Sequence, residues 1–61
     1  MGDKKRILII DDHPLFREGI KAIIQNDERY NVVGEAGTAG RGIELAAGME
    51  VDLAVVDITL P

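Results

Sequence analysis

The chain has no cysteine and no tryptophan among its 61 residues, and only one phenylalanine and one tyrosine. Without cysteine, neither a disulfide nor a thiolate metal site can stabilise the fold, and nothing points to an oxidising compartment. A chain this short buries a core that barely offsets the entropy lost on folding. Oligomerisation and metal sites built from other ligands remain as sources of stability.

Long apolar runs and a basic surface are also missing. The longest uninterrupted apolar runs, residues 7–10 and 53–56, are far too short to cross a membrane. No apolar stretch of a secretory signal follows the N-terminus. A net charge of −4 argues against nonspecific binding to nucleic acid. We therefore expect a cytoplasmic protein in which this segment binds neither nucleic acid nor membrane directly.

Three segments of β-branched and aliphatic residues alternate with two segments of helical spacing. The strand-like segments are residues 7–10, 30–36 and 52–56, and the helical segments are residues 14–25 and 37–48. Proline at position 14 suits the first turn of a helix, where no backbone N–H is needed. This alternation predicts two βαβ units and a parallel sheet.

Each predicted helix has one face suited to packing on the sheet. In the first helix the apolar face comprises Phe16, Ile20, Ile23 and Ile24, and the polar face comprises Arg17, Glu18, Lys21 and Gln25. In the second helix the packing face comprises Ala39, Ile43, Ala46 and Ala47. Gly40 and Gly42 each destabilise a helix by about 1 kcal/mol relative to alanine, so we expect the second helix to be the least stable element.

The predicted topology brings three carboxylates to one place. Right-handed crossovers put one helix on each face of the sheet if the strand order is 2-1-3, as in a flavodoxin-like half-domain. Ligands then bind beyond the carboxyl ends of the first and third strands. Asp11 and Asp12 follow the first strand, and Asp57 ends the third. Two carboxylates at ~4 Å repel by about 1 kcal/mol in water, and an open site of oxygen ligands favours Mg²⁺ as the compensating cation.

A histidine lies between these acids and Pro14. His13 could be imagined as a phosphoryl relay, because imidazole nitrogens can carry a phosphoryl group. Its position immediately before the start of a helix is more typical of a capping or loop residue. We therefore assign His13 a structural role.

Three motifs resemble the receiver domain of two-component response regulators. They are ILIIDDHPLFREGI at residues 7–20, VGEA at residues 33–36 and DLAVVDITLP at residues 52–61. The resemblance covers the whole chain and is closest to the group whose receiver precedes a LuxR-type helix-turn-helix DNA-binding domain. It implies a phosphorelay protein of signal transduction and transcription regulation, with a sensor histidine kinase as the phosphodonor.

The resemblance also implies the roles of individual residues. Asp57 would be the phosphoacceptor. Asp12, Asp57 and the backbone carbonyl of Thr59 would ligate Mg²⁺ directly, and Asp11 would act through a water molecule or in the outer coordination sphere. The chain would accept a phosphoryl group on its own aspartate with the help of Mg²⁺, and would not be an enzyme in its own right.

Receivers of this family have five strands, and their later half supplies the hydroxyl and the lysine that contact the phosphoryl group. We therefore expect residues 1–61 to be a truncated receiver domain, strand-helix-strand-helix-strand, without the later half and inefficient in phosphorylation. The apolar third strand, residues 53–56, would then be an exposed edge, which predicts self-association as a dimer. The alternative function is an inactive receiver fragment that acts only as a self-associating structural half-domain.

Overall fold

The computed structural model of the chain describes residues 3–58. Its elements are β1 (Lys5–Asp11), α1 (Pro14–Gln25), β2 (Tyr30–Ala36), α2 (Ala39–Gly48) and β3 (Leu53–Asp57). The three strands form one parallel sheet in the order β2-β1-β3. The predicted element order, parallel sheet and 2-1-3 strand order are therefore confirmed. Within residues 3–58, neither helix is long and apolar enough to cross a membrane.

The centre of the fold is β1, which pairs with β2 on one side and with β3 on the other. Successive side chains of a strand point to opposite faces, so a continuous apolar run can bury both faces of a central strand. The run in β1 does this, because Ile7, Leu8, Ile9 and Ile10 are all buried. β1 thus forms most of the hydrophobic core.

The two helices cover opposite faces of the sheet. On one face, Ile24 of α1 and the strand residues Ile7 and Val55 line a common cavity. On the other face, Gly42 of α2 lies against Ile10. Ile7 and Ile10 are three positions apart in β1 and therefore point to opposite faces. This confirms the predicted layering, with one helix on each side.

Only half of the apolar face predicted for α1 packs toward the sheet, because Ile20 and Ile24 are partly buried. Phe16 and Ile23, predicted to pack inward, are more than half exposed. Arg17 and Lys21, predicted on the solvent side, are instead half-buried, with side chains 20% and 28% exposed. The physical reason is Glu35 of β2, which forms ion pairs with both cations. An apolar stripe alone does not reveal this charged partner on the sheet.

The packing face of α2 was also predicted wrongly. All the residues assigned to it are exposed, namely Ala39, Ile43, Ala46 and Ala47. The residues that face the sheet are Gly42, which is buried, and Leu45, which packs against the core. A β-carbon at Gly42 would collide with Ile10 Cδ1 and lie 2.8 Å from Ile10 Cγ1. Gly42 therefore allows α2 to approach β1 closely, which outweighs its low helix propensity.

One edge of the sheet formed by residues 3–58 is apolar and pairs with no further strand of that range. In the part of the chain that the structure describes, β3 pairs only with β1. Leu53 and Val56 are both more than half exposed. The predicted exposed apolar edge is therefore present in residues 3–58.

Candidate functional site at the carboxyl edge of the sheet

The strand register brings two of the predicted acids side by side. Asp11 ends β1 and Asp57 ends β3, and the two residues are partners in the parallel ladder. Partners in a parallel ladder point to the same face, on strands about 4.8 Å apart. Asp12 follows Asp11 directly in the chain. The predicted gathering of acids at this edge of the sheet therefore has a structural basis in the β1–β3 register.

Asp11 is the most buried of these acids, with 0% of its surface exposed. Its Oδ1 accepts a hydrogen bond from the backbone N–H of His13 at 2.8 Å. Its Oδ2 is buried, and among residues 3–58 it has no hydrogen-bond partner. A buried polar atom left unpaired costs about 1–3 kcal/mol, and more when it is charged. A cation at this point would remove that cost.

Asp12 and His13 complete a compact group with Asp11. The Nδ1 atom of His13 lies 2.9 Å from Asp12 Oδ1 and 3.6 Å from Asp11 Oδ1. One potential metal-ligating atom from each of the three residues lies within 4.8 Å of the others. Asp57 is not part of this group in the described region.

Asp57 is exposed. Together with His13, Leu15 and Phe16 it lines an open cavity beside the start of α1. A carboxylate that reacts with a group on another protein must be accessible in this way. The arrangement therefore combines one buried acid, Asp11, with one accessible acid, Asp57, on adjacent strands.

The family model of the response regulator receiver domain matches residues 7–61. The chain belongs to the response regulator receiver family. This confirms the resemblance seen in the three sequence motifs. Phosphorylation of an aspartate and binding of Mg²⁺ are general features of receiver domains.

Several curated relatives are similar to this receiver. The nitrate/nitrite response regulator protein NarL of Escherichia coli K12 is 46% identical over 55 residues, which cover 90% of this chain and 26% of the relative. A homolog of the nitrate/nitrite regulator in Haemophilus influenzae is 37% identical over 60 residues, 98% of this chain and 29% of the relative. The transcriptional regulatory protein YdfI of Bacillus subtilis is 36% identical over 56 residues, which cover 92% of this chain and 26% of the relative.

The receiver thus spans about a quarter of the length of these relatives. Their names support its place among response regulators of two-component systems and transcription regulation. A search of solved structures found no match.

The position of His13 in this receiver agrees with the structural role assigned to it. His13 is the N-cap residue of α1, and its backbone carbonyl accepts a hydrogen bond from the N–H of Arg17. Its imidazole makes no capping hydrogen bond in the described part of the chain and contacts Asp12 instead. Thr59, the predicted third metal ligand, lies outside the described residues.

Sequence reasoning missed a charged network that reaches the site. Arg17 Nη1 donates a hydrogen bond to the backbone carbonyl of Asp11 at 2.9 Å, and Arg17 Nε lies 3.3 Å from Glu35 Oε1. Lys21 Nζ lies 2.9 Å from the other carboxylate oxygen of Glu35. The hydrogen bond from Lys21 and the nearby Arg17 charge lower the pKa of Glu35. The spacing of four residues between Arg17 and Lys21 was a usable signal, because it puts both cations on one side of the helix.

Proposed function

We propose that this chain is the phosphoacceptor part of a cytoplasmic response regulator. In this proposal Asp57 accepts a phosphoryl group from a sensor histidine kinase in a Mg²⁺-assisted reaction. The observation that carries it is the pairing of the accessible Asp57 with the buried Asp11 at the carboxyl edge of the sheet, in a chain of the receiver family.

The acids at this edge suit a magnesium ion. Their carboxylate oxygens are the hard ligands that Mg²⁺ prefers, and the buried Asp11 Oδ2 has no other partner within residues 3–58. Asp12 and Asp57 would hold the ion directly with the carbonyl of Thr59, and Asp11 would hold it through water. The bound ion would supply positive charge that offsets the repulsion between Asp57 and the incoming phosphoryl group.

The proposed transfer is a single displacement at phosphorus. One carboxylate oxygen of Asp57 forms a bond to phosphorus while the bond between phosphorus and the kinase histidine nitrogen breaks. The electron pair of the broken bond stays on that imidazole nitrogen, which takes up a proton. The product is an acyl phosphate on Asp57. The chain is the acceptor of its own modification, so we do not propose turnover of a separate substrate.

The test is a titration with Mg²⁺ and then with beryllofluoride, a phosphoryl mimic, followed by NMR. We expect Mg²⁺ to shift the amide signals around Asp12 and Asp57, and beryllofluoride to shift them further. Asp57→Asn should abolish the beryllofluoride response, since the neutral amide does not form the adduct. Asp3→Asn, an equal charge change at an exposed position outside the sheet, should leave both responses intact. A wild-type chain that responds to neither reagent would contradict the proposal.

A second function is favoured by the β3 edge. Its outer side is unpaired within residues 3–58, and Leu53 and Val56 are exposed. Unpaired strand edges are templates for pairing with another chain. We propose that two copies pair through β3 across a two-fold axis. If the chain is only a structural half-domain, it should form this dimer and give no beryllofluoride response.

A further inference from the structure

The side chain of Arg17 connects three elements next to the acidic site, which comprises Asp11, Asp12 and Asp57. It extends from the first turn of α1, donates from Nη1 to the carbonyl of Asp11 at the end of β1, and lies 3.3 Å from Glu35 of β2. The side chain is only 20% exposed. A long cation held this way has given up most of its rotamer freedom, which requires compensating contacts.

We propose that Arg17 is a positioning residue for the acidic site. Its hydrogen bond to the Asp11 carbonyl fixes the orientation of the peptide between Asp11 and Asp12. That orientation sets the directions of the two carboxylate side chains. The proposal rests on the proposed function, because it concerns the geometry of the same metal site.

The shape of the guanidinium suits this role. Its five N–H donors lie in one plane with fixed directions, so Nη1 can donate to the Asp11 carbonyl while Nε stays in an ion pair with Glu35. Within residues 3–58, Nε itself has no hydrogen-bond partner, so the directed contact is the one from Nη1. The ammonium group of lysine is a single point of donation and is held less firmly at two separated acceptors. Arg17 therefore links β1 and β2 in a fixed geometry, which a lysine at this position would not do.

Lys21 Nζ lies 2.9 Å from the other carboxylate oxygen of Glu35, a contact separate from the Asp11 carbonyl. The guanidinium itself is confined by the backbone at Gly37, where an added β-carbon would lie 3.1 Å from Arg17 Nη1. The nitrogen that donates to Asp11 is thus enclosed by the turn after β2. These contacts depend on neither the metal nor the phosphoryl group.

The experiment compares Arg17→Gln with Lys21→Gln. Each variant removes one positive charge from beside Glu35, but only the first removes the contact with Asp11. We expect Arg17→Gln to weaken Mg²⁺ binding about tenfold in an NMR titration, in the range seen when groups that orient metal ligands are removed. Lys21→Gln should keep the wild-type affinity. Equal affinities for the two variants would overturn the proposal.

A second measurement needs no metal. The His13 N–H donates to Asp11 Oδ1 at 2.8 Å, so its chemical shift and exchange protection report the position of that carboxylate. We expect Arg17→Gln to change both quantities in metal-free protein and Lys21→Gln to change neither. If Arg17→Gln does not fold, Arg17→Lys keeps the charge near Glu35 and should still alter the His13 signal. An unchanged His13 signal in the folded Arg17 variant would overturn the proposal. Absence of Mg²⁺ binding by wild type would contradict only the proposed function.

Discussion

Gly42 shows how one residue can have opposite effects on an isolated helix and on the packed fold. In a helix alone, alanine is more stable than glycine by about 1 kcal/mol. In the folded chain a β-carbon at Gly42 would overlap Ile10, which is part of the core. Overpacking a core typically costs about 1–3 kcal/mol. The packing cost exceeds the gain in helix propensity over most of this range.

We therefore expect Gly42→Ala to lower the free energy of unfolding by about 1 kcal/mol. The matched control is Gly40→Ala, because no described atom beyond its own helix neighbourhood lies within 4 Å of the added β-carbon. Gly40→Ala should raise the free energy of unfolding by about 1 kcal/mol. Urea denaturation of both variants measures the two values. Stabilisation by both substitutions would show that α2 does not approach β1 as described.

At the scale of single residues, the site was only partly predictable. The acids Asp11, Asp12 and Asp57 could be placed at one edge of the sheet, because strand ends and strand order follow from hydrophobic pattern and crossover handedness. Arg17 could not be assigned its contact with the Asp11 carbonyl. That contact depends on the rotation of α1 about its axis, and sequence spacing does not determine this rotation when charged residues compete with an apolar stripe.

At the scale of elements, the strands and helices were predictable, whereas the packing face was predicted only in part for α1 and wrongly for α2. α1 covers Pro14–Gln25, as the proline and the apolar periodicity predicted. α2 has two candidate stripes, one of alanines with Ile43 and one containing Gly42 and Leu45. Small side chains predict close packing equally well in either stripe. Ile10 on the opposing strand selects the stripe that contains Gly42. The sequence of the helix alone does not reveal which strand residue it will meet.

The turn between α1 and β2 contains an ion pair between Asp27 and Arg29 that makes the stability of the fold depend on pH. Asp27 accepts hydrogen bonds from the side chain of Arg29, at 2.7 Å to Oδ2, and from its backbone N–H, at 2.9 Å to Oδ1. The Arg29 side chain, and then its backbone N–H, lower the pKa of Asp27 from 3.8 to about 2. Because the folded pKa lies below the unfolded one, the pair stabilises the fold above pH ~4, and this contribution is lost as the pH falls toward 2.

We expect Asp27→Asn to reduce the loss of stability between pH ~4 and pH ~2. The effect should be small because the pair is exposed to solvent. The control Glu28→Gln removes the adjacent carboxylate instead. It should lose as much stability between pH ~4 and pH ~2 as the wild-type chain does. Urea denaturation at several pH values gives the stability, and the Asp27 carboxyl carbon signal gives its pKa by NMR. A carboxyl that titrates near the ordinary aspartate value would contradict the Asp27–Arg29 geometry.

At the scale of the whole molecule, burial is concentrated in β1. The buried hydrophobic residues of the described chain are four from β1 and one from β2, namely Ile7, Leu8, Ile9, Ile10 and Ala36. Leu53 and Val56 of β3, by contrast, remain exposed. Within residues 3–58, a small core thus lies beside an exposed apolar edge, which is the surface used in the proposed pairing through β3.

The dimer proposed for β3 can be tested by placing a charge on its pairing strand. Val56 lies on the edge strand and Ile43 on α2, and both are exposed hydrophobics. Val56→Lys places a positive charge on the pairing strand of both copies, whereas Ile43→Lys makes a similar change away from that edge. Two lysines brought to ~4 Å across a two-fold axis repel by about 1 kcal/mol in water, which raises the dimer dissociation constant roughly fivefold. The loss of the apolar valine contact adds to this.

Sedimentation over a range of concentrations should therefore show weaker association for Val56→Lys and wild-type association for Ile43→Lys. A wild-type chain that stays monomeric throughout, or a dimer disrupted equally by both substitutions, would exclude pairing through β3.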